Sequence, residues 1–188
     1  MKSLSFDNLF EYYDETRIIP ENIFSEMISY ITKKFPVSIY PKIFEPGVGN
    51  GRIAIPLAKK GYEITGIDIS PLMLNDLQKK IKKEDSKIVI KAYKGDITDL
   101  KFTEKSFNLS LVVHLFYFIE EWKKALEELV RVTESYILLI NTGYGMEIPE
   151  LNDKYKNYAK DYGFIISPVG VRSTEEVLED IKESGYSY

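Results

Sequence analysis

The sequence predicts an α/β fold, a mostly parallel sheet with helices on both faces. Two observations carry that prediction. From residue 42 onward, short apolar runs of strand length alternate with amphipathic stretches of helix length, as repeated strand–helix–strand units require. The first strand-to-helix junction reads "IFEPGVGNGR" (43–52), with glycines at three alternate positions, Gly47, Gly49 and Gly51. Glycine is costly to order and weak inside a regular element. Three so close together mark a place where something approaches the backbone.

The elements follow in order. "KIFEP" (42–46) is a short buried strand. "GRIAIPLAKKG" (51–61) reads as a helix stopped at Gly61; Pro56 lies early in it, where a missing N–H costs little. "YEITGIDI" (62–69) is the second strand. "SPLMLNDLQKKIKKE" (70–84) is a helix with Ser70 as N-cap and Pro71 at the first helical position. "KIVIKAYKG" (87–95) and "FNLSLVVH" (107–114) are the third and fourth strands. "EEWKKALEELVRVT" (120–133) is amphipathic and helical, and "SYILLIN" (135–141) is the fifth strand. Residues 144–172, rich in Tyr, Asn and Gly and broken by Pro149 and Pro168, read as an insertion or lid. "STEEVLEDIKESG" (173–185) is a final helix, with Ser173 and Glu176 spaced as a capping box.

Bulk properties narrow the function classes. A length of 188 residues suits a single domain, 1–188. The net charge of −4, with no long run of one sign, disfavours a general nucleic-acid binder. The absence of cysteine removes disulfides, cysteine–zinc sites and thiol catalysis, and fits a cytoplasmic location. The polar, aromatic N-terminus "MKSLSFDNLFEYYDE" has no apolar signal core. The longest apolar stretch, "LVVHLFYFI" (111–119), is too short for a membrane span.

Three readings compete for the glycine loop. A phosphate loop needs Gly-Lys-Ser/Thr four residues after its first glycine; here Arg52 and Ile53 follow Gly51. A dinucleotide loop needs G-x-G-x-x-G; Gly47 and Gly49 fit, but the third glycine comes one residue early. The third reading is an acid followed by x-G-x-G-x-G, which Glu45, Gly47, Gly49 and Gly51 match at every position.

That pattern resembles the first motif of class I S-adenosylmethionine-dependent methyltransferases. The resemblance extends over roughly residues 10–141 and the helix at 173–185. Asp68 closes the second strand in "GIDIS", where a carboxylate can accept both hydroxyls of a ribose. Asp96 in "KGDITDL" stands where the family commonly bonds the adenine amino group, with Ile97 packing on the ring. Met73 lies where the family often sets an apolar residue against adenine; Ile69 and Val113 complete the expected cofactor-binding set. "FNLSLVVHLFYFIEEW" is similar to the family's fourth segment, with Asn108 where an aspartate is frequent. "FEYYDETRIIPE" (10–21) resembles the segment that folds over the cofactor in many small-molecule members. Tyr12 and Tyr13 are therefore candidates for facing a sulfonium, and Arg17 for pairing with the methionine carboxylate.

The resemblance implies a Rossmann-like three-layer sandwich with strand order 3-2-1-4-5, divided into a lid or helical segment (1–35), a cofactor-binding core (36–143) and a substrate cap with the final helix (144–188). The family's usual sixth and seventh strands are expected to be missing, since the chain ends at Tyr188. The fifth strand would then be an edge needing cover, by another segment or through homo-oligomer formation.

Each assignment has a plainer reading. The glycines alone could form a tight turn, Asp68 a cap beside Ser70, and Asp96 a turn. Glu45 could serve only the loop backbone, and Met73 only the core. Tyr12 and Tyr13 could tie down the N-terminus, and Arg17 could make a surface ion pair. His114, the sole histidine, and Tyr13 are the catalytic candidates; a packed, satisfied His114 is the competing reading. The expected reaction is in-line methyl transfer, leaving S-adenosylhomocysteine. A small-molecule acceptor is favoured because the Asn/Asp-Pro-Pro-Tyr signature of amino-methylating nucleic-acid enzymes is absent after the fourth strand. No metal is called for. The alternatives are a non-catalytic adenosylmethionine-binding module or partner subunit and, in another enzyme class, an NAD-dependent oxidoreductase.

Overall fold

The structure, a computed structural model, describes residues 19–84, 87–140 and 174–184. In chain order the elements are α1 (Glu21–Lys34), β1 (Lys42–Pro46), α2 (Ala54–Lys59), β2 (Glu63–Asp68), α3 (Pro71–Ile81), β3 (Val89–Lys94), β4 (Phe107–Val113), a single 3₁₀ turn (Phe116–Phe118), α4 (Trp122–Val132), β5 (Thr133–Ile140) and α5 (Thr174–Glu183). The sheet has the order β3-β2-β1-β4-β5, as the sequence predicts. β1 pairs in parallel with β2 and with β4, and β2 in parallel with β3.

Two compact units make up the chain. The larger, residues 5–113 and 123–139, carries most of the sheet. Its core is apolar because the central strands are covered on both sides: Ile43, Phe44, Leu109, Leu111 and Val112 are fully buried. Phe44, Phe102 and Phe107 form a three-ring cluster with centroids 5.0–5.4 Å apart. α2 and α3 pack against β2 and β3. In the smaller unit, Phe116 and Trp122 lie 6.2 Å apart and are buried, as are Tyr117, Ile119 and Val177.

Several elements end where their sequence says they should. Ser70 Oγ accepts the Met73 N–H at 3.1 Å, with Pro71 next in line, so the expected cap of α3 is made. Gly61 stops α2 at φ +95°. Other boundaries differ. α2 is shorter than expected because Gly51 has φ +82°, incompatible with an α-helical turn, and residues 52–53 form a turn. β5 begins at Thr133 rather than 135: the Thr133 hydroxyl donates to the last turn of α4 at Leu129 O and pairs with Ser110 at 2.6 Å, so α4 runs straight into the strand.

Asn108 stitches three strands together. Its Oδ1 accepts the Lys42 N–H of β1 at 3.1 Å, and its Nδ2 donates to Glu134 of β5 at 2.8 Å. An aspartate there could not donate, so the departure from the family's pattern has a structural use in this chain.

Loop 95–106 is held from α4. Arg131 donates to the carbonyls of Phe102 (2.7 Å) and Leu100 (3.0 Å) and forks onto Glu128 at 2.8 and 2.7 Å. Glu128 in turn accepts the Leu100 N–H at 2.8 Å.

Candidate cofactor-binding site

The glycine loop leaves β1 and turns at once onto the end of β2. The N–H groups of Gly47 and Val48 both donate to the Ile67 carbonyl, at 2.8 and 3.0 Å. Gly47, Gly49 and Gly51 have φ of +69°, +53° and +82°, a region closed to most side chains. The turn is closed on itself as well, since the Gly51 N–H donates to Val48 O at 3.0 Å. Space adds to the demand for glycine, severely at Gly51 and only slightly at Gly49. A Cβ on Gly51 would sit 2.3 Å from Leu77 of α3, and one on Gly49 would sit 3.2 Å from the Met73 Cε.

Asp68 closes this arrangement. One of its carboxylate oxygens accepts the Gly49 N–H at 2.8 Å and the other accepts the Ser70 N–H at 2.8 Å. β3 reaches the same point from the other side, where the Gly95 N–H donates to the Asp68 carbonyl at 3.1 Å. Asp96 follows, and its Oδ1 accepts the N–H and the hydroxyl of Thr98, each at 2.9 Å. That is an Asx turn, and it fixes the half-buried Asp96 and buries Ile97.

Glu45 lies at the end of β1, in register with Gly66 of β2. It is 4% exposed, and its Oε2 has no hydrogen-bond partner among the described residues. Burial pushes its carboxyl up to about 8, and repulsion from the Asp68 carboxylate adds to the effect.

Glu45, Gly47, Gly49, Gly51, Asp68 and Met73 are thus joined through one loop, with Asp96 and Ile97 on the adjoining strand end. Ile69, half-buried, is the link between Asp68 and Ser70. Val113 is half-buried at the end of β4. His114 follows with φ +48°, an uncommon conformation for a residue with a side chain, and its N–H donates to Ile140 O at 2.9 Å; it belongs to the smaller unit. Tyr12, Tyr13 and Arg17 lie outside the described residues.

Two features escaped the sequence reading. Asn50, buried inside the loop, donates to Asp76 of α3 at 3.2 Å, and Asp76 pairs with Lys80 at 3.2 Å. Gly66 lets Val48 lie flat on β2: an added Cβ would come within 2.6 Å of the Val48 Cβ. A glycine inside a strand signals such close approach, so Gly66 was legible in principle.

These residues suit an adenosyl cofactor that carries an amino-acid end and a sulfonium. The glycines put no side chain in the way of a close approach to the loop, the Asp68 carboxylate can take ribose hydroxyls, and Glu45, a buried acid with an unpartnered oxygen among the described residues, lies at the end of the strand that leads into the loop.

Comparison with known proteins agrees. Residues 44–139 match the family model described as "Methyltransferase domain". The chain is 30% identical over 187 residues to an uncharacterized protein of Methanocaldococcus jannaschii, covering 96% of this chain and 80% of that one. A demethylmenaquinone methyltransferase of Paenarthrobacter aurescens is 31% identical over 98 residues, 52% of this chain and 36% of its own length. Among solved structures, a SAM-dependent methyltransferase from Thermotoga maritima superposes with a TM-score of 0.70 at 20% identity, covering 97% of this chain and 80% of that one. The chain belongs to the methyltransferase-domain family, as a class I S-adenosylmethionine-dependent methyltransferase.

Proposed function

We propose that this protein transfers the methyl group of S-adenosylmethionine to a small-molecule acceptor. The observation that carries this reading is the Gly49–Asp68 hydrogen bond, which locks the glycine loop onto the residue suited to a ribose. When bound, the cofactor supplies an electrophilic methyl group on a sulfonium, so no covalent intermediate with the protein is called for.

The chain's own residues then have positional tasks. Gly47, Gly49 and Gly51 present the loop backbone to the amino-acid end. Asp68 accepts ribose hydroxyls while holding the loop. Asp96 and Ile97 form the wall for the base, and Met73 supports Gly49 from beneath. Orientation of an acceptor in line with the methyl group, and exclusion of water, supply the rate.

The small-molecule acceptor rests on the acidic net charge of −4 and on the absent Asn/Asp-Pro-Pro-Tyr signature. Mass spectrometry of co-purified ligand, followed by a screen of candidate acceptors with methyl-labelled cofactor, tests it. Label should pass to a small acceptor and not to DNA or RNA; transfer to nucleic acid alone would overturn the assignment.

A further inference from the structure

We propose that cofactor binding at the glycine loop releases a proton from Glu45, so that affinity for the cationic ligand rises with pH. The inference rests on the cofactor reading above and adds a proton to its binding equilibrium.

The geometry sets two carboxyl groups on adjacent strands in unequal surroundings. Asp68, on β2, receives the N–H groups of Gly49 and Ser70, and hydrogen bonds to a carboxylate favour its ionised form. Glu45, on β1, is buried, and its Oε2 has no donor among the described residues. Of two coupled acids, the one without donors keeps the proton. Burial and the Asp68 charge both push Glu45 in that direction. Asp68 is the charged group that acts on Glu45 among the described residues. In the loop, Arg52 follows Gly51 as a fixed positive charge. On α3, Asp76 and Lys80 are paired at 3.2 Å and carry no net charge together.

A ligand with an ammonium, a sulfonium and a carboxylate carries a net positive charge and inverts the balance. A nearby positive charge favours the charged form of a carboxyl. The Glu45 O–H bond breaks, its electron pair stays on the carboxylate, and the proton passes to the buffer. In the cofactor reading the loop that meets the ligand is continuous with the strand that carries Glu45, which stands two positions before Gly47.

The test is isothermal titration of the full chain with S-adenosylmethionine at pH 7, in phosphate and in Tris, whose ionisation enthalpies differ. The heats should differ by an amount that corresponds to release of nearly one proton per site. Glu45→Gln should bind with the same heat in both buffers. The wild-type Kd should also fall close to tenfold from pH 6 to pH 7, a profile that decides the matter without the variant. Buffer-independent heat in the wild type, a flat pH profile, or unchanged proton release in Glu45→Gln would overturn the proposal. Binding of S-adenosylhomocysteine separates the two readings: if it binds while no proton is released, only the proton coupling fails; if neither compound binds, the cofactor reading fails with it.

Discussion

The backbone N–H of Gly49 donates to the Asp68 carboxylate at 2.8 Å, joining the loop after β1 to the end of β2. Asp68 thus fixes the loop, and the proposed function gives it a second task, recognition of a ribose. Asp68→Asn should retain part of the binding, because an amide oxygen still accepts one of the two N–H groups. Its S-adenosylhomocysteine affinity should fall between those of wild type and Asp68→Ala, as measured by titration. An asparagine variant no better than alanine would mean that the negative charge, and not the loop anchor, sets affinity.

Gly66→Ala should disturb the site without touching it. The new methyl would lie 2.6–2.8 Å from three atoms of Val48, so the loop must lift. Overpacking of this kind costs about 1–3 kcal/mol. Denaturant unfolding should show that loss, together with weakened cofactor binding. Unchanged affinity with lowered stability would show that Val48 shifts without moving the loop.

The pH dependence of ligand-free stability follows from Glu45. Its folded-state value, about 8, lies above its ordinary 4.5, so between these the folded chain holds a proton that the unfolded chain has lost. Stability from this group is present below about pH 4.5, declines as pH rises, and is gone above about 8. The slope is about 1.4 kcal/mol per pH unit within that window. Glu45→Gln should flatten the fall in Tm between pH 5.5 and pH 8. An identical fall in wild type and variant would assign it to another group.

Arg131→Met removes the fork onto Glu128 and both bonds to the Leu100 and Phe102 carbonyls. The cost should be about 1–3 kcal/mol, which for a chain of this size lowers Tm by roughly 2–4 °C per kcal/mol. Arg131→Lys should recover little, because a single ammonium cannot span two carbonyls and a carboxylate as a planar guanidinium does. Full recovery by lysine would reduce the clamp to a simple charge effect.

The sheet was legible because its signals are local and redundant. β1 runs from Lys42 to Pro46 as its apolar run requires, and Ser70–Pro71 starts α3 by side-chain chemistry that a four-residue window contains. The glycine spacing, with Asp68 and Asp96 at the next two strand ends, is enough to point to the cofactor family. What the sequence hid is pairwise and distant. Asn50 with Asp76 is a contact across 26 residues, and Asn108 with Lys42 one across 66; no periodicity announces either. α2 came out short because Gly51 reads equally well as a helix start or as a left-handed turn, and only its crowding against Leu77 decides. The 3₁₀ turn at Phe116–Phe118 was hidden inside an apolar run that looks continuous with β4.

Isothermal titration of the intact chain with S-adenosylhomocysteine, wild type against Asp68→Ala, tests the central claim most directly. The account predicts micromolar-range binding by the wild type, weakened roughly ten- to a hundredfold in the variant, as the loss of charge-assisted hydrogen bonds implies. Absence of binding in the wild type, or equal affinity in the two proteins, would contradict it.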